Sequence, residues 1–85
     1  MAYKILLKPP AAKDLDRLPV LEVKRLLSHI TKLSNDPRPI GIQKLTNDEG
    51  FRIRSGNYRI LFEINDKSQT ILIYRIKHRK DVYKK

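Results

Sequence analysis

The side chains best suited to chemistry in this 85-residue chain gather in its last third. From Phe51 to Lys85 there are ten Lys and Arg against three acids, a net of +7, whereas residues 1–50 hold nine against six, a net of +3. The run FRIRSGNYRILFEIN interleaves Arg52, Arg54 and Arg59 with apolar residues. Strand side chains alternate between faces, so Phe51, Ile53 and Ser55 point one way while Arg52 and Arg54 point the other. In the next run Tyr58, Ile60, Phe62 and Ile64 share a face, with Arg59, Leu61 and Glu63 opposite. One face can be core and the other a cationic platform. A guanidinium, with a pKa above 12, holds its charge and binds oxyanions through paired N–H groups, so the platform suits a polyanion.

The elements that must position these residues follow from pattern. Tyr3, Ile5 and Leu7 alternate with Lys4 and Leu6 in a short strand that Pro9 and Pro10 close, since proline lacks the ladder donor. Pro10 fits the first turn of a helix, and Ala11, Ala12, Leu15 and Leu18 recur at helical spacing until Pro19. From Val20 the stripe Val23, Leu26, Leu27, Ile30 and Leu33 predicts a second helix, which Asn35, Asp36, Pro37 and Pro39 end. Residues 40–50 read as a connection with one short extended piece, closed by turn chemistry at Asn47, Asp48, Glu49 and Gly50. Strands are predicted over 51–55, 58–65 and 70–77, joined at hairpin length. The order β-α-α-β-β-β gives an α+β fold, a small antiparallel-rich sheet packed on an N-terminal helical hairpin, with the other sheet face left for function.

Composition narrows the class. A net charge of +10 and a pI near 10.2 favour an anionic partner. The length is that of one domain, residues 1–85. The absence of Cys removes disulfides and a thiolate nucleophile. No apolar run approaches the roughly 20 residues that span a bilayer, so the expectation is a cytoplasmic protein with no membrane contact.

The segment from Phe51 to Ile60, FRIRSGNYRI, followed by Ile76 to Tyr83, IKHRKDVY, resembles the paired signature of the RelE/ParE toxin superfamily. The opening strand and KLSNDPRP add to the resemblance, which covers nearly the whole chain. It implies a small toxin encoded with an antitoxin, in a RelE-like fold with room for a short C-terminal helix. RelE-like members cut mRNA in the ribosomal A site; ParE-like members poison DNA gyrase without RNA chemistry.

Cleavage of RNA by its own 2′-hydroxyl needs a proton acceptor at that oxygen, positive charge around the phosphorane and an acid at the leaving 5′-oxygen. Glu63 and His78 are the candidate carboxylate and imidazole of the basic region, so an arginine-rich solution is implied. The resemblance carries Arg52 and Arg54 onto a basic pair where lysine often stands; here they bind phosphate and stabilise charge. It carries Arg59 and Arg79 onto the scissile phosphate and Tyr83 onto the tyrosine that stacks on a substrate base, which completes the expected catalytic set. Lys77, His78 and Lys80 are the expected further substrate contacts, and His78 the candidate proton carrier. His29, flanking the second helix's stripe, reads as incidental.

Two functions follow from the resemblance. One is a ribosome-dependent mRNA endonuclease acting beside the 16S rRNA of the 70S A site without cofactor or metal. The other is a ParE-like, non-catalytic gyrase inhibitor. In both, the implied protein partner is a cognate antitoxin, acidic or amphipathic, through which the pair would reach operator DNA.

Overall fold

The computed structural model describes residues 2–45, 50–78 and Lys80. The chain runs β1 (Lys4–Leu7), α1 (Pro9–Asp16), α2 (Val20–Asn35), β2 (Gln43–Lys44), β3 (Phe51–Ser55), β4 (Tyr58–Asn65) and β5 (Thr70–His78). The five strands form one sheet in the order β1-β5-β4-β3-β2. β1 lies parallel to β5, and every other neighbouring pair is antiparallel.

Proline sets the helix boundaries. Pro9 and Pro10 occupy the first turn of α1, where no intrahelical donor is needed, and Pro19 caps α2. Leu26, Ile30 and Leu33 turn the buried face of α2 onto the sheet beside Ala11 and Leu15 of α1, meeting Ile60, Phe62, Ile71, Ile73 and Ile76. Each large apolar side chain so buried contributes about 1.5–3 kcal/mol. Leu27, expected in the stripe, is instead 43% exposed, because a helical face narrow enough to rest on a small sheet ends at Val23 and Ile30.

The β3–β4 hairpin turns on Gly56 and Asn57 between the paired Ser55 and Tyr58. Gly56 has φ +62, a value that suits glycine at the first central position of a tight hairpin turn. Far along the chain, Asp66 of the β4–β5 turn accepts from the Tyr3 hydroxyl at 2.7 Å and from both Arg38 amino groups at 3.2 and 3.0 Å. The α2 end is joined to the first strand by Tyr3 N–H donating to the Ser34 carbonyl and Ser34 Oγ donating to the Tyr3 carbonyl, both at 2.7 Å.

β1 covers the edge of β5 only as far as Ile73, where the Lys8 N–H donates to its carbonyl at 2.8 Å. Beyond it Asp14 of α1 takes over. Its Oδ2 accepts from Ile76 N–H at 2.9 Å and Arg75 Nε at 2.8 Å, and Oδ1 accepts from Arg75 Nη2 at 3.2 Å. A strand-edge donor that would lack a partner is thereby satisfied. Burial works against ionisation of Asp14, but the hydrogen bonds from Arg75 and Ile76 and the charges of Arg75 and Lys77 outweigh it and hold the carboxyl below its usual pKa. Stability from a carboxylate with a depressed folded-state pKa is present above the unfolded value, about 3.9, and is lost as pH falls through the folded one. Asp14→Asn is expected to cost about 1–3 kcal/mol at neutral pH and to flatten the acid limb of stability. Thermal melts taken from neutral pH into the acid range check both; an unchanged acid limb would remove Asp14 from the account.

Candidate functional site

Strand register assembles the cations. Arg54 pairs with Arg59, and Arg59 with Lys77, so three positive residues form one row across β3, β4 and β5. The adjacent row is Arg52, Leu61 and Arg75. Neighbouring strands lie about 4.8 Å apart, and like charges directly opposite one another destabilise a sheet. A row of three therefore opposes folding locally. The same concentration of positive charge suits an anionic ligand.

The members are held differently. Arg52 Nε donates to Gln43 Oε1 at 2.9 Å, and Arg54 Nε donates to the Gly56 carbonyl at 3.2 Å. Both bonds anchor the stem of the guanidinium and leave its two amino groups for a ligand. Arg59 is half-buried at the centre of the row, with Nη1 out of contact with solvent. Its charge acts through a less polarisable surrounding than an exposed arginine's would. Arg75 is turned toward Asp14, which offsets its charge; Arg52, Arg54, Arg59 and Lys77 are the other cations of the two rows among the described residues. Glu63 stands opposite Leu72, four residues along β4 from Arg59, about 13 Å at strand rise. Among the described residues, neither row contains a carboxylate or an imidazole.

His78 is not brought to the rows. Its cross-strand partner is Tyr58, which packs against the core, and the two rings meet edge to face at 5.3 Å. The imidazole therefore belongs to the helix-facing side of the sheet, and its Nδ1 accepts the Lys80 N–H at 3.2 Å. His78, expected as a substrate contact and candidate proton carrier, is thus placed on the side of the sheet away from Arg59, where it holds the chain as it leaves β5. Lys80 is exposed just past that exit. Arg79 and Tyr83 lie outside the described residues, as does the expected C-terminal helix.

Two residues that sequence reasoning passed over are structurally employed. His29 of α2 hydrogen-bonds through Nδ1 to Ser55 Oγ, which is buried at the end of β3. The contact joins α2 to the strand end that carries Arg54. The signal was a serine standing on the apolar parity of β3. Tyr74 is the second. The register slips between Leu61 and Phe62, whose partners are Arg75 and Ile73, so Tyr74 is an extra residue in β5. The sequence trace of that bulge is the phase of the isoleucines: 71 and 73, then 76.

With this geometry in place, comparison with known proteins is decisive. A family model described as the ParE toxin of type II toxin-antitoxin systems, parDE, matches residues 5–83. The chain is a toxin of the RelE/ParE superfamily. This RelE/ParE toxin is 32% identical to toxin RelG of Mycobacterium tuberculosis over 91 aligned positions covering 100% of both chains. Its fold is similar to the RelBE2 toxin-antitoxin complex of the same organism, with TM-score 0.83 and 28% identity over 93% of this chain and 100% of the other. It is also similar to the archaeal RelE-RelB complex of Pyrococcus horikoshii, with TM-score 0.79 and 28% identity over 93% and 97% of the two chains. The α+β class and RelE-like architecture expected from the sequence are those observed.

Proposed function

We propose that this toxin is a ribosome-dependent mRNA endonuclease. The observation that carries the reading is the row Arg54–Arg59–Lys77, a cationic site about 10 Å wide built by strand register on the face the helices leave open. The 2′-hydroxyl oxygen bonds to the adjacent phosphorus as its proton passes to water; the bond from phosphorus to the 5′-oxygen then breaks and that oxygen takes a proton from water. The products are a 2′,3′-cyclic phosphate and a 5′-hydroxyl. Arginine is a poor base, so the chain's part is to bind the phosphate and stabilise the doubly charged phosphorane. Arg59 faces the phosphorane, flanked by Arg54 and Lys77, while Arg52 holds the neighbouring phosphate. Arg79 and Tyr83 complete the site by resemblance, as phosphate contact and base-stacking partner. A site without a strong base gains most from a substrate already bent for in-line attack, which is what the ribosomal A site supplies.

A cognate antitoxin is the proposed protein partner, and the complex reaches operator DNA through it. The similar structures from M. tuberculosis and P. horikoshii are both complexes of that kind. Val20, Leu21, Leu27 and Ile40 are exposed apolar side chains, and such surface suits an amphipathic partner. Among the described residues no helix is long and apolar enough to cross a membrane; the proposed action on ribosomes would take place in the cytoplasm.

A reconstituted translation reaction, run beside a gyrase supercoiling assay, tests the reading. Protein synthesis should stop with loss of intact mRNA while supercoiling proceeds. Blocked supercoiling with translation untouched would place the toxin with gyrase-directed members instead.

A further inference from the structure

The extra residue in β5 is an aromatic one, and it lands on the cationic face. Gly50 precedes Phe51, whose ring packs toward the core, so alternation turns the α-carbon substituent of position 50 to the side of Arg52. A Cβ placed there would lie 2.6 Å from the Tyr74 hydroxyl. The tyrosine therefore reaches from β5 across β4 to the head of β3, on the face that carries Arg52, Leu61 and Arg75. Its hydroxyl is buried there while the residue as a whole stays half-exposed. Bulges re-aim side chains and recur beside active sites. Here the re-aimed ring runs from beside Arg75 to Gly50, which stands four residues along β3 from Arg54, so its hydroxyl end lies about 13 Å along the strands from the Arg54–Arg59–Lys77 row. That offset exceeds the separation of a nucleotide's phosphate from its own base, so a base on the ring belongs to a neighbouring nucleotide.

We propose that Tyr74 is a base platform: its ring stacks on a base of single-stranded RNA while the phosphate of a neighbouring nucleotide lies on the Arg54–Arg59–Lys77 row. The proposal rests on the reading of this face as an RNA site and adds an aromatic contact within the sheet itself. Gly50 is part of the device, because only a residue without Cβ lets the hydroxyl settle at the head of β3. An anchored hydroxyl holds the ring in one orientation, so little freedom is lost when a base arrives. Stacking accepts any base, so the platform adds affinity for unpaired RNA without adding sequence preference.

The test is binding of the full chain to a fluorescently labelled RNA hexamer and to the same hexamer with abasic sugars, followed by anisotropy. Wild type should prefer the intact hexamer by about 5- to 100-fold. Tyr74→Leu should lose much of that preference, keeping the part that Tyr83 supplies, with its affinity for the abasic strand unchanged, and Tyr74→Phe and Tyr74→Trp should retain it in full. Gly50→Ala should lose the same part of the preference, and adding Tyr74→Phe, which removes the clashing hydroxyl, should restore it. These differences separate a platform from a packing residue, whose loss would weaken both RNAs alike. A preference undiminished in Tyr74→Leu, or an equal fall for both strands in that variant, overturns the platform. Equal affinity of wild type for both strands overturns it as well, with the RNA reading left standing. No binding of either strand by wild type overturns the platform together with that reading.

Discussion

Arg59→Ala is expected to lower the rate of mRNA cleavage on the ribosome by about 10²–10³-fold, the usual loss when one preorganised donor to a developing oxyanion is removed. The expectation comes from position. Arg59 is central in the row, paired on one side with Arg54 and on the other with Lys77, and like Lys77 it is half-buried whereas Arg54 is exposed. Truncation removes one of three like charges from adjacent strands, which relieves repulsion and offsets the packing lost. The melting temperature should therefore stay near that of wild type, while Arg59→Lys should recover only part of the rate, because an ammonium keeps the charge and loses the paired donors. Single-turnover cleavage beside a thermal melt is the check. A fall in thermal stability matching the fall in rate would make Arg59 structural and move the chemistry elsewhere.

Binding to single-stranded RNA is expected to weaken about fiftyfold between 50 and 200 mM salt. Four cations, Arg52, Arg54, Arg59 and Lys77, occupy the two rows once Arg75 is set aside in its ion pair with Asp14. With each phosphate contact on a single strand contributing a slope of about −0.7 in log affinity against log salt, four give about −3. The double variant Arg52→Ala/Arg54→Ala should reduce the slope by about half and weaken binding to all sequences alike. A slope near zero would mean that the face does not bind phosphate, whatever its charge. A slope left unchanged in the double variant would place the contacts on other lysines and arginines of this +10 chain.

Most of what positions the site was legible because it is local. The alternation of Arg52 and Arg54 with Phe51, Ile53 and Ser55 fixed the faces of β3, and the observed strands coincide with the expected ones to within a residue at the end of β5. Pairing was less accessible. That β1 runs parallel to β5, with Lys4 opposite Thr70, depends on the packing of both helices and on no nearby signal. The bulge was half legible. Isoleucines at 71, 73 and 76 cannot all face the core on a regular strand, and the slip that lets them do so is what sends Tyr74 to the cationic side. His78 shows the reverse. Its neighbours Lys77 and Arg79 made it read as part of the cationic cluster, but adjacent strand residues face opposite ways, and its partner Tyr58 assigns it to the helix side. His29 was passed over because a histidine beside a helical stripe has no distinctive spacing; only the fold brings it to Ser55.

The central claim, that the cationic rows serve mRNA cleavage on the ribosome, is tested most directly by primer extension on a defined mRNA. The purified toxin is added with and without programmed 70S ribosomes holding an empty A site. A cut inside the A-site codon in the presence of ribosomes, absent on free RNA and ending in a 2′,3′-cyclic phosphate, is the predicted result. No cut under either condition, or a cut on free RNA that ribosomes do not enhance, would contradict it.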